Sequence, residues 1–139
     1  MMNNLKIFAF YFLSFTWGVI MSLIGAIVAL VLLAMGYQPK RFHYLIYFEV
    51  GNGWGGVSLG CFFFVQNGAS VSTLRHESGH ALQNVMLGVF MPFVIAIPSV
   101  VRCAYRRYMQ HKGQGYRLSP YESVWFESWA SYLGKKYFE

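Results

Sequence analysis

The chain has 139 residues, 56% of them hydrophobic and only 12% charged. That length holds one domain core, and that composition excludes an ordinary soluble domain and points to a membrane. Eleven Lys and Arg face five acids, all glutamate; the basic residues sit beside apolar runs, a placement that fits membrane topology and argues against nucleic acid as a partner.

Residues 5–35 are apolar apart from Lys6 and small hydroxyls. The run exceeds the ~20 residues a bilayer span needs and is too long for a signal peptide, so it predicts an N-terminal transmembrane helix within an anchor over residues 1–38. Lys40 and Arg41 follow it, and a second basic cluster, Arg102 to Arg117, lies further on. This bias predicts an integral membrane protein whose remaining portion, residues 39–139, lies on the cytoplasmic side.

Residues 43–50 and 57–65 are rich in β-branched and aromatic side chains and are separated by Gly51-Asn-Gly-Trp-Gly-Gly56. They predict a β-hairpin. Ser70 or Ser72 can then cap a helix carrying residues 73–87. The apolar residues 88–101 contain Pro92 and Pro98, which predicts a kinked segment that dips into the membrane or packs over that helix rather than a second span. For the last helix, Ser119 suits the N-cap, Pro120 the first position, Glu122 a capping box, and Gly134 with the lysines after it the stop. Cys61 and Cys103 read as two small buried hydrophobes rather than a disulfide framework.

Within the first of these helices, His76-Glu-Ser-Gly-His80 carries the chemistry. Residues four apart lie about 40° from each other around a helix, so His76 and His80 present two imidazoles to one point, as Zn²⁺ requires. Glu77 stands beside the pair, where it can take a proton from an activated water and return it to a leaving amine. Gly79 weakens a helix interior by about 1 kcal/mol relative to Ala, which suggests close approach of another backbone.

A catalytic zinc wants a third protein ligand. There is no aspartate to supply it. Glu49 adjoins a glycine turn, Glu122 has a capping role, Glu139 is terminal, and His43 and His111 are the remaining histidines. Glu127, set among Trp125, Phe126 and Trp129, is left; a carboxylate among large aromatics needs a reason to be there. Ser131 lies one turn beyond it, placed to hydrogen-bond a ligand or its own backbone.

The motifs His76-Glu-Ser-Gly-His80 and Glu127-Ser-Trp-Ala-Ser-Tyr-Leu-Gly134 together resemble the gluzincin metallopeptidases, most closely the membrane-bound CAAX-prenyl protease and HtpX-like group. The resemblance covers about 60 residues. It implies His76, His80 and Glu127 as zinc ligands, Glu77 as general base, Ser131 where the family has an aspartate, and a peptide or protein substrate. The fold implied is α+β: a minimal zincin core of β-hairpin, active-site helix, kinked segment and glutamate helix, with residues 57–65 at the rim of the cleft. A small membrane-anchored zinc metallopeptidase is the function expected. The alternative is a non-catalytic zinc-binding membrane protein, or a degenerate peptidase acting as an interaction partner.

Overall fold

The computed structural model describes residues 3–139, and of Glu122 the backbone alone. It is an α+β fold of five helices and one four-stranded mixed sheet. The apolar N-terminal run is two helices, not one: α1 (Asn4–Phe15) and α2 (Val19–Ala34), bent by 94° at the break. Thr16 Oγ1 donates to the Phe12 carbonyl and the Gly18 amide to Leu13, so the backbone groups freed by the bend are partly satisfied locally.

The sheet departs from the expected hairpin. Strands β1 (Lys40–Phe42), β2 (Leu45–Glu49), β3 (Gly56–Leu59) and β4 (Phe62–Val65) lie in the order β1-β2-β4-β3. Residues 57–65 do not form one strand but fold back at Gly60 into the antiparallel pair β3–β4, and β4 pairs with β2 in parallel. The reason is physical. Gly60 takes φ +70°, which a side chain would resist, and a Cβ there would overlap Ser22 of α2. The turn places the apolar Phe62–Val65 run inside the sheet, where both faces are covered, and leaves Gly-Val-Ser-Leu at the edge.

Leu45, Tyr47, Phe63 and Val65 face α1 and α3 (Val71–Leu87), packing with Phe10, Leu74, Ala81 and Phe138. On the other face Phe48 and Phe64 pack against Ala29 and Leu32 of α2. The parallel register stacks Tyr47 on Phe63 and Phe48 on Phe64, with ring centroids 5.1 and 5.8 Å apart.

After α3 the chain turns sharply, by 115°, through Gly88–Phe90 and a wide helical turn, Pro92–Ala96, into α4 (Ile97–His111). The expected kink is there, and the segment packs over the site: Met91 and Ile95 are buried with Met21 and Phe126. The last helix, α5 (Trp125–Tyr137), starts later than expected. Tyr121–Ser123 is a separate short turn, and Val124 occupies the cap position. Arg102 and Arg106 draw the carbonyls of Ser119, Pro120 and Tyr121 toward α4, so the segment that should have opened the helix is held as a strap. The capping role expected of the Glu122 side chain lies outside the described residues. Gly134 is not the stop; it lies inside α5, against α3.

Candidate metal centre

Two helices build the site, and both were shaped for close contact. A Cβ at Gly79 would overlap the Ala130 carbonyl, and one at Gly134 would overlap that of Arg75, so α3 and α5 cross with their backbones touching. The close backbone expected of Gly79 is thus α5 itself. Ser70 caps α3 through the Thr73 amide (3.2 Å), which fixes the helix start and hence the direction of His76, Glu77 and His80.

The structure brings His76, His80 and Glu127 together: their potential ligand atoms all lie within 4.8 Å of one another. His76 Nε2 and His80 Nε2 are each 3.1 Å from the same oxygen, Glu127 Oε2. Ligands on a tetrahedral zinc with bonds of about 2.0–2.1 Å sit roughly 3.3 Å apart, so the two nitrogen–oxygen distances are compatible with a shared metal ion as well as with hydrogen bonds. Glu127 stands in the first turn of α5, not mid-helix, where the helix dipole also favours its charge.

The surrounding hydrogen bonds prepare the imidazoles. Gln83 donates Nε2 to the Phe126 carbonyl (2.9 Å), leaving its Oε1 to accept from His80 Nδ1 (2.7 Å). His80 Nε2 is thereby turned to Glu127, where it can carry a proton shared with the carboxylate or offer its lone pair to a cation in the proton's place. His76 Nδ1 meets Ser131 Oγ at 2.8 Å, and Glu127 Oε1 accepts from Ser99 Oγ (2.9 Å) and the Tyr121 hydroxyl (3.4 Å). Lone pairs and a carboxylate turned on one point demand positive charge, from protons or a metal ion. The cluster is compatible with a metal: two imidazole nitrogens, one carboxylate, and both outer nitrogens already engaged.

Two buried carboxyls side by side acquire opposite characters. Burial raises Glu77 above the ordinary carboxylate range; His80 and His76 oppose the shift and Glu127 adds to it. Burial would raise Glu127 too, but the hydrogen bonds from His76, His80 and Ser99 hold it well below that range. His80 is raised: burial opposes its charge, but the bond to Glu127 prevails. Glu77 Oε2 is buried without a hydrogen-bond partner, and a Cβ on Gly56 would sit 2.7 Å from Glu77 Oε1. Environment thus pushes the two carboxyls in opposite directions, Glu77 toward its neutral form and Glu127 toward its charged one.

The other candidates stand apart. Glu49 pairs with Lys40 (2.8 Å), His43 sits in the β1–β2 turn, and His111 is exposed at the end of α4. Cys61 is buried, whereas Cys103 is only half-buried and lines a cleft beside His76 and Glu77. Of the 57–65 run, Val57, Ser58 and Leu59 in edge strand β3 border the site together with Gly56, while Phe63 and Val65 in β4 are core. Sequence reasoning missed Gln83, Ser99 and Tyr121. Of these only Gln83, three residues from His80 on the same helix, carried a readable signal.

No protein-family model, curated protein or solved structure matches this chain. The chemistry of the site is therefore read from its own residues.

Proposed function

We propose that this chain is a small membrane-anchored zinc metallopeptidase of gluzincin type. One observation carries the reading: two histidine Nε2 atoms and the Glu127 carboxylate converge beside a second buried carboxyl, Glu77, that has an unpartnered oxygen. His76, His80 and Glu127 would hold Zn²⁺, which would supply the Lewis acidity that activates water and polarises a scissile carbonyl. Glu77 accepts the proton of the attacking water and delivers it to the departing amine. Ser131, Gln83 and Ser99 keep the ligands in place and in the right protonation state.

The membrane reading rests on exposed apolar surface. α1 and α2 are each too short to span alone, since 16 residues rise only about 24 Å, and among the described residues no single helix is long and apolar enough to cross a membrane. The bent pair passes that length and composition test together. Its outer side shows Phe8, Ile27 and Leu30 at more than 60% exposure, a cost in water that lipid removes. Irregular backbone at membrane depth requires protein partners, and the Gly18 carbonyl has one in Asn84 of α3 (3.4 Å). Lys40 and Arg41, in β1 after the end of α2, support a cytoplasmic side for the site.

The test is zinc content and peptide hydrolysis by the detergent-purified chain. The expected result is about one zinc per chain and hydrolysis that Glu77→Gln abolishes while zinc is retained. A chain that holds zinc yet has the same hydrolysis rate with and without Glu77 would sink the mechanism. Zinc without any hydrolysis would favour a non-catalytic zinc protein.

A further inference from the structure

Two recesses of different character open onto the site, and Gly56, Glu77 and Tyr121 line both. The larger, about 380 Å³, is bounded by α4, with Arg106, Arg107 and Gln110 facing Ser72 and Thr73. The smaller, about 90 Å³, is walled mainly by Met21, Leu59, Met91, Ile95 and Val100 and reaches His80. A bond held at Glu77 therefore has one neighbour in a basic lobe and the other in an apolar recess with room only for a small side chain.

Among the described side chains no carboxylate pairs with the arginines of the basic lobe. Arg106 gives one nitrogen to the Ser119 carbonyl and lies 5.5 Å from the Tyr121 ring centroid, and neither it nor Arg107 has a carboxylate partner among the described side chains. Glu49 is paired with Lys40, and Glu127 is committed to the histidines. A guanidinium at the wall of a concave site raises the local concentration of anionic ligands and binds carboxylates with two parallel hydrogen bonds.

We propose that the chain selects peptides that place a carboxylate in the α4 lobe and a small aliphatic side chain in the apolar recess. The carboxylate is that of an acidic side chain or of a peptide C-terminus. This selectivity rests on the peptidase reading above.

The experiment uses the zinc-loaded full chain in non-ionic detergent and fluorogenic peptides with an Ala-Val core. Glu, Gln or Lys is walked through the flanking positions, each peptide with a free or an amidated C-terminus. Glu on one side of the cleaved bond should raise kcat/KM about tenfold over Lys, equivalent to about one step of 1.4 kcal/mol, and Arg107→Glu should reverse the order. A preference that vanishes on amidation assigns the lobe to the terminal carboxylate; one that survives assigns it to the side chain. Equal rates for Glu and Lys peptides, or an order indifferent to Arg107→Glu, overturn the proposal. If no peptide is cleaved, tryptophan fluorescence reads binding to the Glu77→Gln chain. Tighter, Arg107-dependent binding of Glu peptides sustains the selectivity while the catalytic reading falls, and equal binding overturns both. Arg107-dependent capture by anionic phospholipid vesicles that acidic peptide does not displace assigns the arginine to lipid and overturns it as well.

Discussion

Gln83 decides which nitrogen of His80 is free. Its amide is anchored on the Phe126 carbonyl, so only its oxygen can face His80 Nδ1, and an imidazole so held keeps Nε2 as the nitrogen available to a cation. Gln83→Leu keeps the size but removes both that acceptor and the donor to the Phe126 carbonyl. We predict a 10- to 100-fold loss of zinc affinity, the range typical for partners that orient a metal ligand, measured by competition with a chromogenic chelator. An affinity unchanged within twofold would mean that Gln83 merely fills space. At this scale the sequence was informative where spacing alone fixes geometry. His76 and His80 share a helix face at any i, i+4 spacing, and the shortage of acids left few rivals to Glu127. It was silent where packing supplies the partner. Ser99 and Tyr121 reach Glu127 from segments whose position depends on the turn after α3 and on the arginine strap, and no periodicity encodes either.

At the scale of elements, the site exists because α3 and α5 can touch. Gly→Ala inside a helix normally stabilises by about 1 kcal/mol. At Gly79 and Gly134 the added methyl would overlap a carbonyl oxygen of the opposing helix, so the helices must part. We predict that either substitution reverses the usual sign and destabilises by about 1–3 kcal/mol, the range for overpacking. A lower Tm and weaker zinc binding should appear together, because moving α5 moves Glu127. A variant with raised Tm and normal zinc affinity would show that the crossing is looser than described. Gly79 was legible as a helix residue needing an excuse, but Gly134 was not. Following Leu133 and preceding two lysines, it looks like a helix stop until the opposing backbone is in view. The strands failed for a related reason. A long apolar run with one central glycine reads as a single strand by residue type, and only the approach of α2 at Ser22 forces the fold-back at Gly60.

For the molecule as a whole, the N-terminal helices face two ways. α1 and α2 supply Phe10, Met21, Ala29 and Leu32 to the cores under and over the sheet, while Leu23, Ile27 and Leu30 stand out from α2 at 52, 62 and 65% exposure. Composition revealed an apolar run of spanning length but not its break, because Thr16 and Gly18 are common in membrane helices and the bend is fixed by Asn84 from α3. The two faces allow the membrane reading to be tested without disturbing the core. Ile27 and Leu30 lie on the outer side, so arginine at both positions leaves the packing against Phe48 and Phe64 intact. Each arginine near the centre of a bilayer opposes insertion by about 2.5–3.5 kcal/mol, and less toward the interface. The double variant should keep its zinc and its far-ultraviolet circular dichroism but shift from the floated vesicle fraction to the soluble one. Wild-type chain recovered without detergent as a monodisperse monomer would contradict a lipid partner for this face. A wild-type chain that floats with vesicles, beside a folded double variant that does not, locates the contact on α2.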